Sequence, residues 1–468
     1  MNKISKIIAI LIFCHQCLFA QVPLLWGMTS TGGTNGDGTI FKIKGDGTNA
    51  VSLFSFDILI TGTTPFSSFL NASNGKLYSL CEWGGLVNKG VLFSFDTTIN
   101  SYTNLLNFSG TAGNYPTGNL IQASSGKLYG TAYDAGPNFF GTIYSFNPFN
   151  NVFNTLYGPT GIDGKKPMGT LVQVNNGKLY GITNSGGVSN FGTIFSFDTL
   201  SNLYTKIFDF SGSDGQNPTS GLTLANNGKL YGMTTLGGTS NGGVIYSLDP
   251  VTNMFVKLFD FTSINGKPSR NQLIKVNNGK LYGMTSAGGI NNMGVIFSFD
   301  PQTNSYIKLF DFSSATGQSP YGDLYQASDG NLYGMTSSGG VNNLGTVFKY
   351  DILNNSYIDI FHFTSVFGGN PGGSLREMKG LDTGIKENYY SKFGLLIYPN
   401  PAAFNLSVFI PEGQKIKSIE LINISGIVLE SFSENTRQIN VEKLEQGMYF
   451  IKVKNDSETL FYSKFIKQ

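Results

Sequence analysis

From residue 24 onward, short runs in which apolar and polar residues alternate are separated by clusters of Gly, Asn, Asp and Pro. Residues 271–321 hold one such series: NQLIKV, the turn NNGK, KLYGMTS, the loop GGINNMG, VIFSFD, the turn PQTN, and SYIKLFDF. Period-two runs joined by turn residues predict four antiparallel strands in a meander. VIF and KLF are apolar on both sides, the pattern of strands covered on both faces.

The series recurs along most of the chain. The aromatic of LYG or its variants stands at Trp26, Tyr78, Tyr129, Tyr180, Tyr231, Tyr282 and Tyr333, at intervals of 52 and then 51 five times. Twelve residues after each comes a glycine: Gly38, Gly90, Gly141, Gly192, Gly243, Gly294 and Gly345. A register kept this strictly means one structural unit per repeat. Seven four-stranded sheets, each packed between copies of itself, make an all-β, seven-bladed β-propeller over residues 21–380, whose ring leaves only short strand edges exposed. A stacked solenoid is the alternative, but it needs capping ends that the sequence does not provide.

The ends of the repeat fit a closed ring. The chain enters at LLWGMTS, the second strand of a unit, and GGSLREMKG at 372–380 aligns with NQLIKV. The last segment is therefore expected to supply the first strand to the N-terminal sheet.

Three segments outside the repeat break the pattern. Residues 1–20 have a basic start, an apolar run from Ile7 to Phe13 and a small Ala20, which predicts a secretory signal peptide. That run is too short to span a membrane, and no later segment approaches the ~20 apolar residues required. Residues 381–392 have no repeat pattern and read as a linker. Beyond about residue 393 the density of charged residues doubles and new alternating runs appear, NLSVFI, SIELIN, IVLESF, MYFIKV and FYSKFI. They predict a small β-sandwich over 393–468.

Composition then narrows the chemistry. The formal charge is +2 and both excess lysines, Lys3 and Lys6, lie in the leader. A neutral mature chain gives no electrostatic reason to expect nucleic acid or an anionic membrane as partner. Without the leader, Cys81 is the only thiol and His362 the only imidazole. No intramolecular disulfide, Cys/His zinc cluster, phosphate loop or EF-hand loop is available, so neither metal nor cofactor is expected. Cys81 falls in the slot of Thr183, Thr234, Thr285 and Thr336, and His362 in the slot of Asp209, Asp260 and Asp311, so both read as substitutions within a repeat. Those aspartates are expected to face solvent on the outer strand by period-two alternation.

The double glycine after the second strand and Asp300, Pro301, Thr303, Asn304 and Tyr306 resemble kelch repeats. The whole unit, LYGMTSxGGxxNxGxIFSFD, is closer still to the GloVer-type tandem repeat of secreted bacterial proteins, over residues 24–380. That resemblance implies little about activity. A second one lies in the last domain: Tyr398-Pro399-Asn400-Pro401, Leu406-Ser407-Val408, Gly426 and Gly447-Met448-Tyr449 resemble the C-terminal sorting domain read by the type IX secretion system of diderm bacteria. Ile424-Ser425 departs from the polar pair more usual there. The resemblance implies export across both membranes, the secretion machinery as a partner, removal of the sorting domain, and a surface or extracellular destination.

Loops between the second and third strands share one face with the connections between units, and this face carries the variable residues. It is the candidate ligand face. Asn88, Asn190, Asn241, Asn292 and Asn343 of its GGxxN loops are read as turn residues, with ligand binding as the alternative. Residues that break the symmetry are more informative: Glu82-Trp83 in the second unit, Tyr133-Asp134 in the third, and Arg270. Two carboxylates and two aromatics suit carbohydrate binding, the aromatic faces giving apolar contact. If Glu82 and Asp134 faced one another across adjacent sheets ~10 Å apart, they would also suit a polysaccharide hydrolase or lyase. The expected function is a noncatalytic binding or adhesion protein at the cell surface, with polysaccharide or a surface protein as ligand. The alternatives are that enzyme and a purely structural surface component.

Overall fold

Each period of about 51 residues folds as one antiparallel sheet, and seven such sheets lie between residues 24 and 377 of the computed structural model. The structure describes residues 22–378, 396–398, 404–409, 416–424, 426–433, 436, 438–455 and 460–467. The expected leader at 1–20, the linker at 381–392, and Pro399, Asn400 and Pro401 of the sorting motif fall outside these residues. The chain divides into two compact units between Gly380 and Leu381.

The sixth sheet shows how sequence becomes sheet. Its strands run Ile274–Lys275, Leu281–Thr285, Val295–Asp300 and Ser305–Asp311, in that order from the ring axis outward. Every residue of Leu281–Thr285 is buried, because neighbouring sheets cover both faces. Its Tyr282, Met284, Ile296 and Phe312 pack with Leu324, Leu332, Phe348 and Tyr350 of the seventh sheet in one core. In every sheet the third and fourth strands slip register at one repeat position, as between Ile296 and Phe297 in the sixth sheet and between Val347 and Phe348 in the seventh. Such a bulge increases local twist.

The N-terminal sheet takes its inner strand from the far end of the repeat. Arg376–Glu377 pairs with Leu24–Met28, Trp26 opposite Arg376 and Leu25 opposite Glu377, and Met378 N donates to Leu24 O at 3.0 Å. Leu25, Phe41 and Ile43 share a core with Tyr333, Met335, Val347 and Leu375. The ring is therefore closed by hydrogen bonds and apolar burial together, as the repeat ends predict.

Joints between sheets reuse the same side chains. The turn after the first strand of the second sheet presents Asn74 Nδ2 to the Tyr78 hydroxyl at 2.8 Å, and that hydroxyl points to Pro148 O of the next sheet at 3.4 Å. Tyr180 and Tyr231 repeat the arrangement with Pro250 O and Pro301 O. On the outer strands Phe208 stacks on Phe255 at 3.9 Å and Phe310 on Tyr357 at 4.0 Å.

The GGxxN asparagines are turn residues, as expected. Asn88, Asn190, Asn241, Asn292 and Asn343 all have φ between 50° and 59°. Each side-chain oxygen accepts the N–H of the first glycine of its loop, as Asn292 Oδ1 does from Gly288 N at 3.0 Å. The outer-strand aspartates differ from expectation. They are only partly exposed, and Asp209, Asp260 and Asp311 accept from Val188 N, Thr239 N and Ile290 N, so they tie the GGxxN loop to the outer strand. Each also pairs with a lysine three residues earlier, as Lys308 with Asp311 at 2.8 Å. His362 keeps this duty with Nδ1 accepting from Val341 N at 3.3 Å. Cys81 is fully buried, and burial pushes its thiol well up in pKa.

In the C-terminal unit, Leu396–Tyr398, Asn405–Phe409 and Gln438–Asn440 form one sheet, and Val428–Ser433, Ile416–Asn423, Gly447–Asn455 and Leu460–Lys467 another. Leu406, Val408 and Ile439 of the first pack with Ile419, Leu421, Ile451 and Val453 of the second, which makes a β-sandwich. Tyr449 stacks against Phe465 and donates to Glu445 O, whereas Met448 is exposed.

Candidate functional site at the axial mouth

Inner strands determine what faces the axis. Every inner strand keeps one large apolar residue, from Phe69 and Leu120 to Leu375. Three residues before it stand Phe66, Thr117, Met168, Thr219, Arg270, Tyr321 and Gly372, and one residue before it Ser68, Asn119, Thr170, Gly221, Gln272, Asp323 and Ser374. Period two puts both sets on the same side of the strand. All seven of the first set and six of the second line an axial cavity of about 50 Å³. At roughly 30 Å³ per molecule in the liquid, that space suits one or two waters and excludes a sugar ring.

The second set ties the sheets together. Ser68 N donates to Asn119 Oδ1 at 2.6 Å, Asn119 N to Thr170 Oγ1 at 3.2 Å, Gln272 N to Asp323 Oδ1 at 2.6 Å, Asp323 N to Ser374 Oγ at 2.7 Å, and Ser374 N to Ser68 Oγ at 2.9 Å. Gly221 has no side chain to offer, and Gln272 Oε1 beside it is buried without a partner. These bonds shorten most inner strands. NQLIKV reads as a strand from Asn271, yet only Ile274–Lys275 is one, because Gln272 N serves Asp323 of the next sheet in place of a ladder. Asn119 Nδ2 reaches Asp323 Oδ2 at 3.3 Å. Burial pushes the Asp323 carboxyl up in pKa, against the opposing pull of the Gln272 N–H and the Arg376 guanidinium. Burial lowers the pKa of Arg376 in turn, opposed by Asp323.

At the mouth of this cavity, Arg270 and Glu82 meet from the sixth and second sheets. Arg270 Nη1 donates to Glu82 Oε2 at 2.8 Å and Nη2 to Oε1 at 3.4 Å. The guanidinium is flanked by Phe66 at 5.9 Å and Tyr321 at 5.7 Å, whose rings are themselves 5.3 Å apart. Burial works against its charge, but Glu82 outweighs burial and holds its pKa above the usual value.

The structure thus brings Glu82 and Arg270 together and leaves Tyr133 and Asp134 out of the cavity lining. Glu82 and Tyr133 occupy the same repeat position, and Trp83 and Asp134 the next one. Alternation sends these two positions to opposite sides of the strand. Glu82 lines the cavity and Asp134 does not, so the carboxylate pair expected for hydrolysis is not assembled there. Trp83 is 40% exposed and packs on Tyr115 with centroids 4.3 Å apart. Lys89 Nζ donates to the Tyr115 hydroxyl at 2.5 Å, and Lys166 lies over Tyr133 and Lys165 over Phe140, each with its ammonium 4.8 Å from the ring centroid. Sequence reasoning does not single out Phe66, Asn119, Tyr321 and Asp323. Their signal is two repeat positions, three residues and one residue before a kept apolar residue, at which residue type varies from copy to copy. Among the described residues, no group of three or more His, Cys, Asp or Glu is placed to hold a metal ion.

Comparison with known proteins agrees with this architecture. Residues 21–234 and 204–394 match the Gloeobacter/Verrucomicrobia repeat, and residues 396–468 match the secretion system C-terminal sorting domain. No curated protein matches the chain. Among solved structures, PorZ, a surface component of the type IX secretion system of Porphyromonas gingivalis, is 14% identical with a TM-score of 0.46, covering 93% of this chain. The chain spans 63% of the length of PorZ. The periplasmic gluconolactonase PpgL of Pseudomonas aeruginosa is 16% identical with a TM-score of 0.52, over 75% of this chain and 98% of its own. A puromycin-hydrolyzing peptidase of Mycobacterium tuberculosis is 10% identical with a TM-score of 0.50, over 73% of this chain and 52% of its own. At such identities the likeness is one of fold, and the fold is a β-propeller.

Proposed function

Because this chain belongs to the Gloeobacter/Verrucomicrobia repeat family and carries a type IX sorting domain, we propose that it is a noncatalytic binding protein that presents the axial mouth of its propeller to a ligand outside the cell. The sorting domain makes it a secreted or cell-surface protein of a diderm bacterium and implies contact with the secretion machinery. No helix among the described residues is long and apolar enough to cross a membrane.

The observation that carries the reading is the ion pair between Glu82 and Arg270. A general acid or base must be free to exchange a proton with substrate. Glu82 instead gives both oxygens to a guanidinium, and its expected partner Asp134 is elsewhere. What the mouth offers is recognition: a cation in bidentate geometry and the aromatic faces of Phe66 and Tyr321.

The test is a pull-down of the secreted protein on soluble and insoluble polysaccharides, with the supernatant assayed for new reducing ends. Retention without product is the expected result. Release of sugar would replace this reading with a hydrolase or lyase, and absence of both would move it to a protein partner or a structural role.

A further inference from the structure

The Arg270 guanidinium is already built to hold a carboxylate. Its side chain is 30% exposed and Glu82's 12%, so the pair sits at the opening of the cavity and not in its depth. Phe66 and Tyr321 flank the guanidinium, and much of its hydration has been removed by the fold itself. A ligand that brings its own carboxylate to this position exchanges one anion for another without having to desolvate the cation anew. We propose that the axial mouth binds an acidic polysaccharide, with a uronate carboxylate taking the place of Glu82 on Arg270. This rests on the reading of the mouth as a binding site and names the class of ligand it takes.

A second observation points the same way. On the same face, between the second, third and fourth sheets, cations and aromatic rings come in pairs: Lys89 with Tyr115, Lys166 with Tyr133, Lys165 with Phe140. Trp83, next to Glu82 in sequence, packs on Tyr115, and Tyr133 holds in the third sheet the repeat position that Glu82 holds in the second. A uronate chain presents the same alternation, a C–H face and a carboxylate on each residue, which such ring and ammonium pairs match. The acidic groups here are Glu82, which the ligand displaces, Asp163, which accepts from Tyr157 and Thr160 N, and Asp134 beside Tyr133. A neutral glycan would use the rings and leave the cations unanswered.

The experiment titrates the full chain with oligomers of alginate, polygalacturonate and hyaluronan, each against its methyl-esterified form, and with neutral oligosaccharides. The expected result is binding of at least one acid at least 10-fold tighter than its ester, lost in Arg270→Gln and strengthened several-fold in Glu82→Gln. The surface variant Lys165→Gln/Lys166→Gln is expected to weaken the acid several-fold and to make its binding less sensitive to salt. Melting curves of each variant separate lost binding from lost fold, and the double lysine variant reports even if Arg270→Gln unfolds. Equal affinity for acid and ester, or an acid preference that survives in a folded Arg270→Gln or, should that variant unfold, in Lys165→Gln/Lys166→Gln, would overturn this proposal and leave a glycan-binding mouth standing. No binding of any glycan would overturn both.

Discussion

The Tyr333 hydroxyl stands 2.8 Å from Asp329 Oδ2 and 3.3 Å from Gly45 O, two acceptors for a single phenolic proton. In the second, fourth, fifth and sixth sheets an asparagine amide donates to the equivalent tyrosine, which frees its proton for the next sheet, as at Asn74, Tyr78 and Pro148. The joint that closes the ring is thus one donor short. Asp329 also accepts from Asn331 N and Nδ2. Restoring the turn of the neighbouring repeats with Asp329→Asn/Asn331→Lys is expected to stabilise the protein by about 1 kcal/mol, the worth of one hydrogen bond. Chemical denaturation measures it, and an unchanged or lower midpoint refutes it.

Truncation tests the closing strand. A chain ending after Gly380 keeps Arg376–Glu377 and the bond from Met378 N to Leu24 O, and should melt as the propeller does in the full-length protein. Ending at Pro371 removes the buried Leu375, worth roughly 2–3 kcal/mol by itself, along with the Ser374 bonds and the inner edge of the first sheet. A large fall in melting temperature is expected for the second form only.

Asn292→Ala must accept both a φ of 55° without help and the loss of the bond to Gly288 N. A left-handed L-residue costs about 1–2 kcal/mol, and the lost bond adds about 1 kcal/mol. Asn292→Gly removes the bond alone and should cost less than half as much. Equal losses in urea denaturation would show that backbone conformation is not the reason for asparagine here.

Cys81 occupies a threonine slot in which Thr234 Oγ1 accepts from Val244 N at 3.1 Å and donates to Leu236 O at 2.8 Å. Cys81→Thr should reproduce these bonds with Val91 N and raise stability by about 1 kcal/mol, whereas Cys81→Ala should lower it. The native thiol, buried and raised in pKa, should resist a thiol reagent until the protein unfolds. Rapid labelling under native conditions would contradict this burial.

Acid should loosen the turns between third and fourth strands. Backbone N–H groups donate to Asp198 and Asp249, while the side chains of Thr48 and Asn354, with backbone N–H groups beside them, donate to Asp46 and Asp351. These bonds hold all four carboxylates below their usual pKa. A depressed pKa in the folded state gives stability that is present above the ordinary carboxylate value of ~4 and lost as pH falls through the lowered value. Melting temperature should therefore be level down to about pH 5 and fall below about pH 4. Combining Asp198→Asn, Asp249→Asn and Asp351→Asn should make that fall shallower, and parallel curves would count against the turns as its origin.

What the sequence reveals follows the range of the interaction. Strand order, loop asparagines and closure are legible because each rests on residues within one repeat or on the offset of the repeat against its ends. The partial exposure of Asp311 is less so, because its partner Ile290 N lies 21 residues back in a loop that alternation alone does not locate. Glu82 and Arg270 are 188 residues apart, and no local pattern links them. Even so, the phase of the repeat already separates Glu82 from Asp134, since the two occupy successive positions of the unit. The short inner strands are hidden for a related reason: the acceptor of Gln272 N is a side chain 51 residues away.

The shared first sheet has a temporal meaning. A ribosome makes Leu24–Met28 at the start of the repeat and Arg376–Glu377 at its end, so the first sheet keeps an open edge until nearly all of the propeller has been synthesised. A partly emerged chain has no closed form to settle into. Locking thus reports that the last repeat has arrived.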